Sequence, residues 1–465
     1  MQPQILPTTA IKLNRLLILA LGLQIYWVFD AWSFYLQNGY LPAPFIYNKF
    51  DVFMDVYNPL WWSSTSKYTD WGSVYPPINF PLLDLIGLAT YGNTTFAEAS
   101  EMRDASLAPA FVVMITAGAA TILTVCHRQW SILPWRTRGL IAAVAVLSPP
   151  ILFSIERANL IVLGLLCVPF FFGKRPASRA LALALAINLK PYFALLLLEY
   201  LLTSNQRGFL LATALAGSIF IFTGLACDAD FLLFLENLTS FSQSVETTFS
   251  GRELVAFPSS ISAFAAVIEV ALQSPNFSIL PADLMLLAAR GIELTKFIAI
   301  AAFLATIVVA RRSLTSDQVN AALIALIINL GVWVGGYSQI FYLACIPALM
   351  SMRLRWFYLA IVLLIFLPLD LVILNATPIG YMISFLSRDV HPVVWQMGLG
   401  SFARPVLNLF FVMGLTTEFA AIVWPESFFL KRKFFSNAAT AIQPSSLVFP
   451  PSPGLLAQPH STFLC

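Results

Sequence analysis

The sequence predicts an all-α polytopic membrane protein, and three observations carry that prediction. Of 465 residues, 59% are hydrophobic and only 11% charged, with a mean hydropathy of +0.80; no soluble domain of this length buries so much apolar surface. The apolar runs are long and continuous rather than alternating ten-residue segments, which favours helices over a membrane β-barrel. Basic residues cluster between the runs, at Lys12/Arg15, Arg128/Arg136/Arg138, Lys174/Arg175/Arg179, Arg311/Arg312, Arg353/Arg355 and Lys431/Arg432/Lys433, as cytoplasmic flanks do. The net charge of +3 gives no reason to expect a nucleic-acid partner.

Residues 1–14 are expected to be a cytoplasmic N-terminus. Lys12 and Arg15 precede an apolar run, Leu16 to Leu36, with no small-residue cleavage site after it, so it reads as a retained first span. The chain then enters a first outer loop, 38–75, that carries Tyr40, Tyr47, Asp51, Asp55, Trp61, Trp62, Tyr68, Asp70 and Trp71. Aromatic residues at that density suit the headgroup zone. Pro76 to Tyr91 is apolar but shorter than the ~20 residues a span needs, hence tilted or re-entrant. Leu107 to Val125 is a full span ending at the basic group from His127 to Arg138.

Shorter runs follow. Leu140 to Phe153 rises, Ser154 to Asn159 turns, and Leu160 to Phe172 descends; Ala180 to Leu189 rises, Lys190-Pro191-Tyr192 turns, and Phe193 to Leu202 descends to Arg207. A single Pro-kinked span through Lys190 is the alternative to this second hairpin, but the hairpin keeps Arg179 and Arg207 on one side. Phe209 to Ala226 leads into a long polar outer loop, 227–260, and Ile261 to Leu272 is short enough to be interfacial. Leu284 to Ala310 descends, Ala321 to Gly335 rises to Gly336-Tyr337-Ser338-Gln339, and Ile340 to Met350 descends. Phe357 to Leu374 rises to an outer loop, 375–404, and Val406 to Trp424 returns. The transmembrane domain thus covers 15–433 with about 11–13 spans. The Ser/Pro/Ala-rich stretch 434–465 is expected to be a disordered tail.

This topology puts four unusual polar elements on the outer side: Asp51/Asp55, Glu156-Arg157-Ala158-Asn159, Lys190-Pro191 and Tyr337-Ser338-Gln339. They read as walls of one outward-opening cavity. An ionisable side chain at membrane depth costs roughly 2.5–3.5 kcal/mol, so each marks function by default. Glu156 and Arg157 either close a helix hairpin as an ion pair or, with Lys190, present cations to a lipid-linked phosphate; Lys190 alternatively snorkels to the interface. Asp51 and Asp55, four apart, share a face if helical. They are either solvated loop acids or a general base with a partner that orients an acceptor hydroxyl. Tyr75-Pro76-Pro77 is a rigid extended lead into a helix, with Tyr75 placed to stack on a sugar ring.

The five cysteines and three histidines form no CxxC, HExxH or other ligand cluster, and no P-loop is present; no metal or cofactor is expected. A lipid-phosphate sugar donor therefore fits better than a sugar nucleotide held by a divalent ion.

Taken in order, the Asp-bearing first loop, Tyr75-Pro76-Pro77, the Glu156-Arg157-x-Asn159 turn and Leu189-Lys190-Pro191-Tyr192 resemble the GT-C superfamily. The pattern is similar to glycosyltransferase family 87, the mannosyltransferase-like bacterial proteins, over about residues 15–350. The resemblance implies a multi-span enzyme of the bacterial inner membrane with its active site facing the periplasm or exterior. It implies a polyprenyl-phosphate-sugar donor, a lipid or glycan acceptor, and inversion at the anomeric carbon. Carried onto this chain, the catalytic base is Asp55, or Asp51 if the register differs. Glu156, Arg157, Asn159 and Lys190 would line the donor site, and Tyr337 and Gln339 would form a later active-site turn. Ala158 stands where relatives often carry Gly, and Leu160 and Ile161 follow where they carry an acidic or amide residue. Two other classes compete: a lipid or sugar transporter, which calls for inverted repeats not evident here, and a non-catalytic subunit of envelope polysaccharide assembly, which would tolerate loss of Asp51 and Asp55.

Overall fold

The computed structural model describes residues 7–45, 51–173, 175–248, 257–261, 263, 268, 272, 281–330, 335–384 and 389–424. Tyr47, Lys174, Arg388, the Lys431/Arg432/Lys433 cluster, the tail 434–465 and most of the 261–272 segment lie outside them. The helices are α1 (Pro7–Asn38), α2 (Met54–Trp62), α3 (Asn79–Tyr91), α4 (Ala99–Ala105), α5 (Ala108–Cys126), α6 (Trp135–Val146), α7 (Pro149–Glu156), α8 (Ile161–Phe171), α9 (Pro176–Leu189), α10 (Leu197–Leu202), α11 (Gln206–Ala226), α12 (Phe231–Thr248), α13 (Ala282–Ala310), α14 (Ser316–Leu330), α15 (Tyr342–Met350), α16 (Arg355–Phe366) and α17 (Gly400–Val423). Short 3-10 turns span Arg128–Ile132, Pro191–Leu196 and Gly336–Phe341.

The chain is mostly helical, with the make-up of a multi-pass membrane protein. Among the described residues five helices are long and apolar enough to cross a membrane: α1 from Ala10, α5, α11, α13 and α17. The pair α6 and α7, bent by 47°, makes a sixth if it is one span. The expected 11–13 spans, several of them short, therefore resolve among the described residues into five or six long helices and a set of shorter apolar ones. Proline explains several of the breaks, since it lacks the N–H that continues a helix and restricts the residue before it. Ser148-Pro149-Pro150 separates α6 from α7, Lys190-Pro191 ends α9, and Leu367-Pro368 ends α16. A short helix survives where the bundle encloses it: in α14 every residue from Val319 to Asn329 is buried.

The fold-back at Lys190 forms as the hairpin reading expects. Arg179 in α9 pairs with Glu199 in α10 at 2.8 Å, although twenty residues separate them; a continuous helix would set them ~30 Å apart at 1.5 Å per residue. Ser316 at the head of α14 joins this pair, accepting from Arg179 and donating to Glu199. Asn14 accepts a hydrogen bond from Thr137, also at 2.8 Å, tying the first basic flank to the Arg136/Arg138 flank.

The run Phe357 to Leu374 is helical only to Phe366, so it is not one continuous helix, and the stretch 375–404 expected as an outer loop carries regular structure. After α16 the chain forms an antiparallel pair, β1 (Val372–Ile383) with β2 (Val390–Gly398), so the all-α reading gains a two-stranded sheet. Val372, Ile373, Val390, Val393 and Val394 are β-branched and suit a pleated surface. The polar connection 227–260 contains α12, whose start Asp230 caps by accepting from the backbone N–H groups of Leu232 and Leu233. Leu232 and Leu235 are exposed and Phe234 is buried.

The base of the β-hairpin is fastened by a fully buried ion pair. Arg404 in α17 donates to Asp370 through both terminal nitrogens, Nη1 at 2.7 Å, and both side chains are shut off from solvent. The guanidinium also lies 4.4 Å from the centre of the Phe257 ring. Removing one partner strands a buried charge, so Asp370→Ala is expected to cost about 3–5 kcal/mol, read as a lowered midpoint of thermal unfolding in detergent. Arg404→Lys is expected to recover little of it, because an ammonium cannot span both carboxylate oxygens.

Candidate functional site

The first loop and the turn after α7 are joined through their backbones. Phe53 N–H donates to Glu156 O at 2.8 Å, and Asp55 N–H donates to Arg157 O at 3.1 Å. Each partner bends sharply to allow this: Phe53 has φ 64° and Ala158 φ 49°, both left-handed conformations that cost an L-residue roughly 1–2 kcal/mol. The chain accepts them because the side chains brought together offset the cost.

Arg157 is at the centre. Its Nη2 donates to Asp55 Oδ1 at 2.6 Å, its Nη1 donates to the Asp51 backbone carbonyl at 3.1 Å, and Nη1 also pairs with the Asp51 carboxylate. Asn159 completes the arrangement. Its Nδ2 donates to Asp55 Oδ2 at 2.6 Å while its Oδ1 accepts from the Ile161 N–H that opens α8. Both carboxylate oxygens of Asp55 are therefore bonded, whereas among the described residues Asp51 has one bonded oxygen, and it is the more exposed of the two, at 24% against 17%. The expected shared helix face does not exist: Asp51 precedes the left-handed Phe53 and only Asp55 lies in α2. The two acids converge on one cation instead. Nor does Glu156 pair with Arg157 in a hydrogen bond; both Glu156 oxygens are buried without a partner among the described residues.

Tyr75 and Lys190 form the next layer. The Tyr75 hydroxyl donates to the Asp55 backbone carbonyl at 3.4 Å. Burial holds that hydroxyl well above its ordinary pKa, and Asp55 adds to the effect, so it remains a protonated donor. Lys190 Nζ sits 4.4 Å from the centre of the Tyr75 ring. That cation–π contact occupies one face of the ring expected to stack on sugar. The Lys190 ammonium makes no hydrogen bond or ion pair among the described residues, so its charge is uncommitted in a way that Arg157's is not. The aromatic surface beside Tyr75 is built by Trp62, at 6.5 Å between ring centres, and by Trp71, which packs on both Trp61 and Trp62.

Sequence reading missed the residue that ties Tyr75-Pro76-Pro77 to Lys190. Asn79, fully buried at the start of α3, reaches the Pro76 carbonyl at 2.9 Å and the Asn188 and Leu189 carbonyls at 3.4 and 3.5 Å. An amide two residues after a Pro-Pro step is the available signal, because prolines leave carbonyls without helical partners. The Gly336–Phe341 turn arrives from the other side. Tyr337 stacks on Phe153 of α7 at 6.1 Å, and Gly336 N–H donates to Phe257 O at 2.7 Å. Gln339 is completely buried, and its Oε1 and Nε2, with Ser338 Oγ and Tyr192 Oη, lack hydrogen-bond partners among the described residues. Polar atoms so placed cost about 1–3 kcal/mol each unless something else pairs with them.

The left-handed, fully buried Ala158 is directly testable. Ala158→Gly is expected to shift stability by less than about 1 kcal/mol, relief of strain opposing the added chain entropy. Ala158→Val, β-branched at positive φ in a closed space, is expected to destabilise by a few kcal/mol, measured as thermal unfolding of the purified proteins. Comparison of the chain with family models, with curated proteins and with solved structures finds no match.

Proposed function

We propose that this chain is an integral membrane glycosyltransferase that moves a hexose, such as mannose, from a polyprenyl-phosphate donor to a lipid or glycan acceptor on the outer face of the membrane. The observation that carries the reading is an acid pair held by Arg157 and Asn159 beside an uncommitted cation, Lys190. Transfer from a lipid phosphate needs those two functions together: a carboxylate to take a proton and a positive charge to receive the leaving phosphate.

In this mechanism the acceptor hydroxyl gives its proton to a carboxylate as its oxygen attacks the anomeric carbon. The bond from that carbon to the phosphate oxygen breaks, its electron pair stays on the polyprenyl phosphate, and configuration inverts. Asp51, with one carboxylate oxygen unbonded among the described residues, accepts the proton. Asp55, bonded at both oxygens, holds Arg157 and stabilises positive charge developing on the sugar ring. Lys190 meets the phosphate as a point charge, leaving Arg157 to position the acids rather than grip the donor. Trp62 and Trp71 offer flat apolar surface to a sugar face.

The test is turnover of defined polyprenyl-phosphate hexoses by the purified protein. Asp51→Asn is expected to lower kcat by about 10²–10⁴-fold, the range of general-base catalysis, with donor binding kept. Lys190→Ala is expected to weaken donor binding as well as turnover. Undiminished turnover in both Asp51→Asn and Asp55→Asn overturns the assignment of the acids, and flip-flop of the donor without hexose transfer favours a transporter.

A further inference from the structure

A groove of about 470 Å³ opens among α1, α6, α15 and α16, and none of the polar corners described above borders it. Its lining includes Leu13, Leu17, Val144, Met350, Trp356 and Leu363, and Lys12 is the only charged residue in it. Along α16 the lining runs from Trp356 to Phe366, about 15 Å at 1.5 Å per residue, which is half of the ~30 Å hydrocarbon core and so one leaflet. The Phe366 end is closed by Gln24. This side chain is fully buried and donates to the Val144 carbonyl at 2.9 Å and the Phe366 carbonyl at 2.8 Å.

The other end is cationic. Lys12 is exposed and its ammonium makes no ion pair or hydrogen bond among the described residues. Arg355 lies over the Trp356 ring at 5.9 Å from its centre. Trp356 is 46% exposed, as a ring at the headgroup level is. An apolar trough one leaflet long, sealed at its inner end and cationic at its mouth, has the polarity of a single lipid. Water inside it would find few of the two to four polar partners it needs.

We infer that this groove is a binding site for one anionic glycerophospholipid, its acyl chain lying along α16 and its phosphate held by Lys12 and Arg355. The site is independent of hexose transfer and is expected to persist in variants that abolish it. A volume of 470 Å³ lies within the ~300–1,000 Å³ typical of small-molecule sites. The charge at the mouth selects among headgroups, each basic residue near an anionic surface being worth roughly a fivefold preference.

The test is native mass spectrometry of the full-length protein after incubation with vesicles of equal phosphatidylglycerol and phosphatidylcholine, followed by detergent exchange. One retained lipid is expected, predominantly phosphatidylglycerol. Lys12→Ala, a change at an exposed position, is expected to reduce the preference roughly fivefold. Ala360→Trp, which fills the trough from its open side, is expected to abolish retention with the thermal midpoint unchanged. No retained lipid, equal retention of both lipids, or full retention by a folded Ala360→Trp protein would overturn the inference. So would displacement of the lipid by millimolar inorganic phosphate, which would mark a free-anion site instead.

Discussion

A single guanidinium sets the geometry of the polar corners. Arg157 is only 13% exposed, and a charge so enclosed persists only where counter-charge and hydrogen bonds replace its hydration. Asp51 and Asp55 supply both, and doing so draws the first loop onto the turn between α7 and α8. The left-handed bends at Phe53 and Ala158 are the backbone consequence. The two acids around one base leave a net negative charge, which a neutral Asn159 holds in place without cancelling. Lys190 lies close by yet is committed to no carboxylate. The result is a preorganised field rather than a set of neutralised pairs, and preorganisation of this kind is what electrostatic catalysis requires.

That field rests on rigid elements. The turn carrying Arg157 and Asn159 is pinned between α7, which starts at a Pro-Pro step, and α8, which Asn159 itself caps. Lys190 is fixed by the fold-back of α9, closed at its far end by Arg179, Glu199 and Ser316, and by Asn79 near its tip. Tyr337 is braced through Phe153 and Phe257 to the Arg404–Asp370 pair under the β-hairpin. Each polar corner thus has a support in an adjoining helix or on another one. Surface loops alone would not hold these groups to the tolerance that chemistry needs.

The helical, membrane-embedded character was legible because composition over hundreds of residues averages out local exceptions. The meeting of Asp51, Asp55 and Arg157, with Lys190 near them through Tyr75, was legible for a related reason: unpaired charges in oily sequence must find one another. What was not legible depended on length and local backbone. The stretch Val372 to Gly398 reads as a span end plus loop until Pro368 is given its helix-stopping weight and the β-branched residues beyond it are counted. The helix over Phe231–Thr248 hides because its apolar start, Phe231 to Leu235, is too short to read as a span and polar residues follow it. The committed state of Arg157 was invisible for another reason: spacing brings charges near each other but does not decide which pair closes.

Helix length also bears on how a lipid-borne substrate would reach these groups. From its basic end α8 rises only 11 residues, roughly 16 Å at 1.5 Å per residue, before the chain turns at Asn159. α9 rises 14, roughly 21 Å, before Lys190. α11 beside it runs 21 residues and α13 runs 29, enough to cross a hydrocarbon core of ~30 Å. α9, which packs against α11, is therefore the shorter of the two by roughly 10 Å. In the proposed reaction a donor tethered to a polyprenyl chain would keep that chain in the bilayer while its headgroup passes between helices to Lys190.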